Sequence, residues 1–448
     1  MLIDFRVKNY RSIRDEQILS LEASGSRSEL KEVLHRPAGL PANAHLLPTI
    51  AVFGANASGK TNLIRAMAMM RNMVLHSFSK AEEDDGPIQA MEKHLLDPNT
   101  LGEPVEFEVT FVHEGVRHRY GFATHDAKIV SESLTIWPKK QPRLVFARGL
   151  ATGDDEKPFK AGDDIAGGRE RAQFVYEQTN PQALFLSTAR KLNNPAVSGA
   201  WEWIREQWKQ VNHVNPLHSD YTRSQCLENA EVKRWTEDLL RWADLGIDGM
   251  QVTAQEVTAT PEFKKVILEV PEGERGKVTK SVQKEFGRRV QVQLFHRGRD
   301  GMRVPLDLGL QESHGTERFF AFAGHLWDIL KHGRTLCVDE IGTGMHHWMI
   351  RQLVQAFQDP ELNRHGAQLI FTTHDPLLLD LTLLRRDQLY FVKKDSAGGS
   401  VLYSLADFKT RKDAVQLHKQ YLSGAFDAIP HLGSLTELMK SAREREAG

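Results

Sequence analysis

Thr49-Ile50-Ala51-Val52-Phe53-Gly54-Ala55-Asn56-Ala57-Ser58-Gly59-Lys60-Thr61-Asn62-Leu63 is the stretch on which the fold turns. Its first five residues are a short apolar run, which predicts a buried strand. The next eight, Gly54 to Thr61, match Gly-x-x-x-x-Gly-Lys-Ser/Thr in full. From Thr61 to Val74 apolar residues recur at Leu63, Ile64, Met67, Met70 and Val74, the spacing of one helical face. Strand, glycine-bounded loop and helix in that order give the pattern a physical meaning. Glycines let the backbone curl, and bare amides at a helix start offer donors to negative oxygens. The stretch therefore points to ATP, with Gly54, Asn56, Ser58, Gly59, Lys60, Thr61 and Asn62 as the binding residues. Lys60 is expected on the β- and γ-phosphates and Thr61 on Mg²⁺.

Three segments further along extend this reading. Thr335-Leu336-Cys337-Val338-Asp339-Glu340 is an apolar strand that ends in two carboxylates. Asp339 is the candidate to hold Mg²⁺, directly or through water, and Glu340 the candidate to polarise the attacking water. Leu369-Ile370-Phe371-Thr372-Thr373-His374-Asp375 is a second strand with a polar end, and His374 is placed to touch the γ-phosphate or the attacking water. Gln311-Glu312-Ser313-His314-Gly315-Thr316-Glu317-Arg318 precedes a helical pattern, so Ser313 and Gly315 offer a hydroxyl and bare amides to a phosphate. Each segment alone has a bland account: a solvated strand end, a surface histidine, an ordinary N-cap. The phosphate loop upstream is what favours the chemical account.

Around these segments the pattern alternates between strands and helices. Residues 2–7 and 18–21 read as strands, and 25–47 as a loop with one helical turn. Residues 103–147 read as an antiparallel sheet and 149–170 as a Gly- and Asp-rich loop. From Leu184 to Trp242 the pattern looks helical and holds five of the eight tryptophans. It is either a packed insertion with aromatic anchors or a partner-docking face. Strand patterns return over 251–296, at Phe263–Val270 and Val290–Phe295, with Lys277, Lys280, Lys284, Arg288 and Arg289 between them or at their edge. That basic stretch suits a solvated hairpin or a phosphate-backbone contact. A helix over Ser313–Lys331 precedes buried strands at Thr335–Val338, Gln368–Phe371 and Gln388–Val392, with helices expected between them. The fold class is α/β, with a mixed N-terminal sheet, a mostly parallel core sheet and a helical insertion. The expected divisions are 1–185, 186–250 and 251–448.

Composition sets outer bounds. At 448 residues with 40% hydrophobic and 26% charged side chains, the chain suits a soluble globular protein. A formal charge of −1 gives no global electrostatic case for nucleic acid. Cys226 and Cys337 are too few for a metal cluster or a disulfide framework, which favours a cytoplasmic setting. The N-terminus has no signal-peptide core, and the longest apolar runs are too short to span a bilayer.

Taken together, the four segments resemble the heads of ABC-type ATPases, a group that includes SMC-like DNA-repair proteins and smaller AAA-type ATPases of bacterial antiphage defence systems. Phe5-Arg6-Val7-Lys8-Asn9-Tyr10-Arg11-Ser12-Ile13 looks like the first strand of the defence-associated group. Ser313-His314-Gly315-Thr316 occupies the place of the ABC signature in a shortened form. Asp339-Glu340-Ile341-Gly342-Thr343-Gly344-Met345-His346 resembles its Walker B motif and dimer-contact loop, and Thr372-Thr373-His374-Asp375 its switch histidine. The tail Tyr421–Pro430 is similar to the end of that group.

The resemblance implies that two heads sandwich two ATP molecules, so that Ser313 and Gly315 act in trans. A homodimer or a larger even-numbered homo-oligomer follows from it. Thr343 departs from the commoner acidic form of the contact loop, and Gln89 is a candidate for the glutamine that senses Mg²⁺. The helical section is far shorter than an SMC arm. Only 74 residues follow His374, too few for a fused TOPRIM nuclease domain. The resemblance thus implies a separate effector protein, a TOPRIM-like nuclease being one form, and a phage trigger that is protein or DNA. Two other readings stand beside this one: an SMC-like DNA-maintenance ATPase that clamps duplex DNA, and an ATP-dependent scaffold with little turnover.

Overall fold

The computed structural model describes residues 1–25, 30–82, 91–153, 157–163, 165, 167–211, 218–256, 288–408, 417–430 and 433–446. Two compact units divide the chain. The first comprises Met1–Gln210, Arg334–Ile341 and Val354–Gly448, and the second Val211–Gly333 and Gly342–Leu353.

In the first unit the alternation over the opening residues makes β1 (Leu2–Lys8), which pairs antiparallel with β2 (Gln17–Ser20). β3 (Thr49–Gly54) is buried along its whole length, as its apolar run requires. The helix after it, α1 (Lys60–Glu82), buries Leu63, Ile64, Met67, Met70 and Val74, the residues picked out by the helical period. β4 (Val105–His113), β5 (Val116–His125), β6 (Lys128–Trp137), β7 (Arg143–Gly149) and β8 (Phe159–Ala161) form antiparallel neighbours. With β1 and β2 they build a sheet in the order β2-β1-β4-β5-β6-β7-β8 among the described residues. β8 is a short strand where the composition suggests only a loop.

One buried carboxylate fixes this sheet to the helices on it. Two helices follow β8: α2 (Gly168–Glu177) and α3 (Phe185–Lys191). Glu132 of β6, fully buried, accepts from Tyr120 Oη at 2.9 Å, Arg148 Nε at 2.9 Å, and the backbone N–H groups of Phe185 and Leu186 at 2.7 and 3.0 Å. The last two are open donors of the first turn of α3, where a negative charge is favoured. Glu132→Leu strands a buried guanidinium and two amides, so unfolding in urea is expected to show a loss of about 3–5 kcal/mol. Adding Arg148→Met to it is expected to restore part of that loss.

The second sheet of this unit positions the site. After α4 (Ser198–Glu202) and a π-helical turn at Trp203–Gln207 comes β9 (Trp208–Val211). Helices form over much of Leu184–Trp242, as expected, and the expectation is corrected at Trp208–Val211, which is a strand. Trp203 and Trp208 are fully buried in the main core, with Trp203 stacked on Phe111 at 4.0 Å between ring centroids. The carbonyls of Ile204 and Trp208 both accept from Arg71 Nε, at 3.1 and 2.6 Å. A strand of four residues shows too little alternation to betray itself against the helical stretch before it.

The second unit holds α5 (His218–Glu228), α6 (Ala230–Trp242) and a sheet of β10 (Ile247–Glu256), β11 (Arg288–Arg297) and β12 (Arg303–Asp307). It also contains α7 (His314–His332) and the first part of α8 (His347–Gln358). The strand expected at 263–270, Gln89, Lys277, Lys280 and Lys284 lie outside the described residues.

The chain then returns to the first unit with β13 (Thr335–Val338), β14 (Gln368–Thr372), β15 (Leu389–Lys394) and β16 (Ser400–Ser404). The core sheet runs β16-β15-β3-β14-β13-β9, and β15, β3, β14 and β13 are mutually parallel. α8 separates β13 from β14, as expected. Between β14 and β15 there are 3₁₀ turns at Pro376–Leu378 and Arg386–Gln388 where a helix is expected. Pro376 opens the first turn, and the Asp375 side chain caps it. Past β16 lie α9 (Leu417–Leu422) and α10 (Leu435–Glu446). The result is an α/β architecture: an antiparallel N-terminal sheet, a mostly parallel core sheet and helical insertions.

Candidate functional site

Register explains why three motifs far apart in sequence meet. β14 lies between β3 and β13, with Phe371 opposite Ala51 on one side and Val338 on the other. Parallel strands in that register end together. The loops after Phe53, Val338 and Thr372 therefore open at one carboxyl edge, where ligands of open α/β sheets bind.

The phosphate loop is tightly enclosed from behind. A Cβ added at Gly54 collides with the Val392 carbonyl, and one at Gly59 collides with Ser400 Oγ and lies 2.8 Å from Ser12 Oγ. Gly59 also has φ +113, which L side chains rarely adopt. Ser400 Oγ donates to the Ser58 carbonyl at 2.7 Å and lies in hydrogen-bond contact with Ser12 Oγ at 2.8 Å, and Ser12 Oγ accepts from Asn62 Nδ2 at 2.7 Å. Asn56 and Ala57 are exposed at the tip of the loop. Ser12 and Ser400 are the supports that the sequence does not assign. Ser12 falls inside the Phe5–Ile13 segment, whereas Ser400, on an antiparallel return strand, carries no local signal.

Lys60 is 4% exposed, and its Nζ donates to the carbonyls of Gly54 and Ala55 at 2.8 and 2.9 Å. Burial pushes its pKa down to about 8, against the pull of Glu340 and Asp339. Ser58 Oγ is buried without a hydrogen-bond partner among the described residues. A cradle closed to Cβ atoms, a buried ammonium and an orphaned hydroxyl suit a polyphosphate.

At the neighbouring strand ends Asp339 is buried, and its Oδ1 accepts from Thr372 Oγ1 at 2.6 Å and from Thr61 Oγ1 at 3.3 Å. A hydroxyl and a carboxylate side by side are an oxygen donor set that suits Mg²⁺. Glu340 follows with φ +49, and its N–H donates to Thr372 Oγ1 at 2.6 Å. His374 Nε2 lies 3.8 Å from Glu340 Oε1. Burial, together with the Lys60 charge, holds His374 below the usual histidine range. The structure thus gathers Gly54, Asn56, Ser58, Gly59, Lys60, Thr61, Asn62, Asp339, Glu340 and His374 in the first unit.

Ser313 and Gly315 belong to the second unit. Ser313 is the N-cap of α7, and its Oγ accepts from the Thr316 N–H at 3.1 Å. A Cβ on Gly315 lies 2.5 Å from the Gly344 carbonyl, and Arg318 Nη1 donates to the Thr343 carbonyl at 2.5 Å. Within this unit the start of α7 and the loop at 342–344 are therefore packed together, which a bare glycine permits.

A profile of the family described as "AAA domain, putative AbiEii toxin, Type IV TA system" matches residues 50–380. No curated protein matches the chain. Among solved structures, an SMC head domain from Thermotoga maritima is 12% identical, covers 90% of this chain and 98% of its own, and has a TM-score of 0.35. An SmcHead bound to the C-winged helix domain of ScpA is 11% identical over 90% of this chain and 97% of its own, with a TM-score of 0.41. A Pyrococcus furiosus Smc head with an extended coiled coil, bound to the C-terminal domain of ScpA, gives 12%, 90%, 96% and 0.39. These scores are low, and the likeness is loose. Among the described residues no helix is long and apolar enough to cross a membrane.

Proposed function

The chain belongs to the AAA-domain family described as "putative AbiEii toxin, Type IV TA system", and from that premise we propose that it is an ATP-hydrolysing regulatory subunit of an antiphage defence complex. The observation that carries the ATPase reading is the convergence of Lys60, Thr61, Asp339, Glu340 and His374 at one sheet edge.

In this reading Lys60 leaves the Gly54 and Ala55 carbonyls to meet the β- and γ-phosphates. Gly54, Ser58, Gly59, Thr61 and Asn62 hold the phosphate chain, and Asn56 lies at its outer edge. Thr61 and Asp339 hold Mg²⁺, which when bound neutralises charge on the phosphate oxygens. Glu340 takes a proton from the attacking water. The water oxygen bonds to the γ-phosphorus, and the bond from that phosphorus to the β–γ bridging oxygen breaks. His374, whose proton affinity burial and the Lys60 charge reduce, donates or accepts a hydrogen bond beside Glu340. Ser313 and Gly315 complete the site from a second copy, which makes a homodimer or a larger even-numbered assembly the working form.

The regulatory part of the reading is supported by the family description, which places relatives among toxin systems. The chain would control a separate nuclease or toxin-like effector, of which a TOPRIM-like protein is one form, in response to a phage protein or DNA. Co-purification with the products of neighbouring genes, with and without ATP, followed by native mass spectrometry, tests it. A stoichiometric effector that is held or released according to nucleotide is the expected outcome. A lone ATPase oligomer carrying only duplex DNA would instead mark a clamp. Activity per subunit is expected to rise with protein concentration, and a flat dependence would count against completion of the site in trans.

A further inference from the structure

Thr372 is the last residue of β14 and is fully buried. It sits between the two strands that carry the phosphate loop and the Asp339-Glu340 pair. Its hydroxyl works in both directions at once: Oγ1 donates to Asp339 Oδ1 at 2.6 Å and accepts the Glu340 N–H at 2.6 Å. Its carbonyl accepts the next amide, Ile341 N–H, at 3.1 Å. Three successive residues of the neighbouring loop are thus fastened to one residue of β14.

The middle one, Glu340, has φ +49, a conformation that non-glycine residues avoid unless their surroundings impose it. The backbone at Glu340 decides where its carboxylate starts from. The Thr372 hydroxyl therefore acts on the aim of that carboxylate without touching a phosphate. The same strand end continues to Thr373, whose N–H donates to the Val52 carbonyl at 3.0 Å, and then to His374. Only a side-chain hydroxyl supplies a donor and an acceptor at one atom in so small a volume. Valine matches the shape of threonine and supplies neither.

We infer that Thr372 is a positioning residue for hydrolysis, holding Glu340 in its left-handed backbone and Asp339 in its orientation. The inference rests on Glu340 being the base, as proposed above. It assigns a role to a position that the sequence marks only as the first residue of the segment carrying His374.

Two variants and one exchange measurement test it. Thr372→Val is expected to lower kcat by about 10- to 100-fold, the range that loss of a buried hydrogen-bonded partner gives. The KM for ATP should stay within about 3-fold, because the phosphate loop is untouched, and Thr372→Ser should recover most of kcat by restoring the hydroxyl. A merely structural role would lower folded protein without splitting kcat from KM and without rescue by serine. In the wild-type chain the Glu340 amide should exchange with deuterium at least about 100-fold more slowly than an open amide. Wild-type kcat in Thr372→Val, equal loss in the valine and serine variants, or a freely exchanging Glu340 amide overturns the assignment. Should Thr372→Val not fold, the serine variant and the wild-type exchange rate decide. An unchanged rate in Glu340→Gln would instead remove the premise, while amide exchange still judges the clamp.

Discussion

Glu340→Gln is expected to slow ATP hydrolysis by about 10²- to 10⁴-fold while ATP still binds, the range lost when a positioned general base is removed. The amide keeps the shape of the carboxylate and loses its affinity for a proton. The surroundings limit compensation by a neighbour. Asp339 is buried and already accepts from Thr372 and Thr61. His374, 3.8 Å from Glu340, is a basic group beside it, and its proton affinity is reduced by burial and by Lys60. Neither group is free to take over. A variant that binds ATP without turning it over should also accumulate as the nucleotide-bound dimer, seen as a doubled mass in gel filtration with light scattering. Turnover equal to wild type would remove Glu340 from the role of base. Loss of ATP binding together with turnover would mean that the side chain holds the nucleotide instead.

This arrangement was legible in the sequence to different depths. The phosphate loop and the two strand-end motifs could be read because each is local: a run of apolar residues followed at once by the groups that matter. Their convergence was expected from the shared nucleotide and the resemblance to ATPase heads, but no local pattern shows how it is achieved, because that depends on β14 lying between β3 and β13. The same limit hides Ser400, which reaches the phosphate loop across 342 residues of chain to bond the Ser58 carbonyl. Trp208 shows the converse. Its strand lies at the edge of the core sheet, yet its four residues follow helical segments and a π turn, so the period read there belongs to its neighbours. Glu132 escapes notice for a third reason. A glutamate in an alternating strand reads as a solvated face, and only the packing of α3 against it makes it the most enclosed carboxylate of the sheet.

Lys60→Met should weaken ATP binding by about 10²-fold or more while leaving the nucleotide-free chain at least as stable as wild type at pH 7. The two effects have one cause. Lys60 is buried with two carbonyls for company, and its pKa falls from 10.5 to about 8. A shift of that size corresponds to roughly 3 kcal/mol of strain on the charged form. The unfolded chain holds this proton up to about pH 10.5, and the folded chain releases it near pH 8. The unfolded state therefore binds more protons between those values, and stability rises with pH across that window. Below pH 8 both states are protonated, and the cost of the buried charge is felt in full. Methionine removes that cost, offset in part by loss of the two hydrogen bonds to carbonyls. Phosphate reverses the balance, because its negative oxygens favour the protonated amine and hold the proton well above pH 8. ATP affinity in the wild type should consequently decline as pH rises past 8, and the decline should be absent in Lys60→Met. Calorimetric titration at pH 7 and pH 9, paired with thermal unfolding of the nucleotide-free proteins at the same pH values, reads both effects. Affinity in the wild type that is flat from pH 7 to 9 would show that this amine does not carry the phosphate charge. A methionine variant much less stable at pH 7 would show that the two carbonyl bonds outweigh the buried charge.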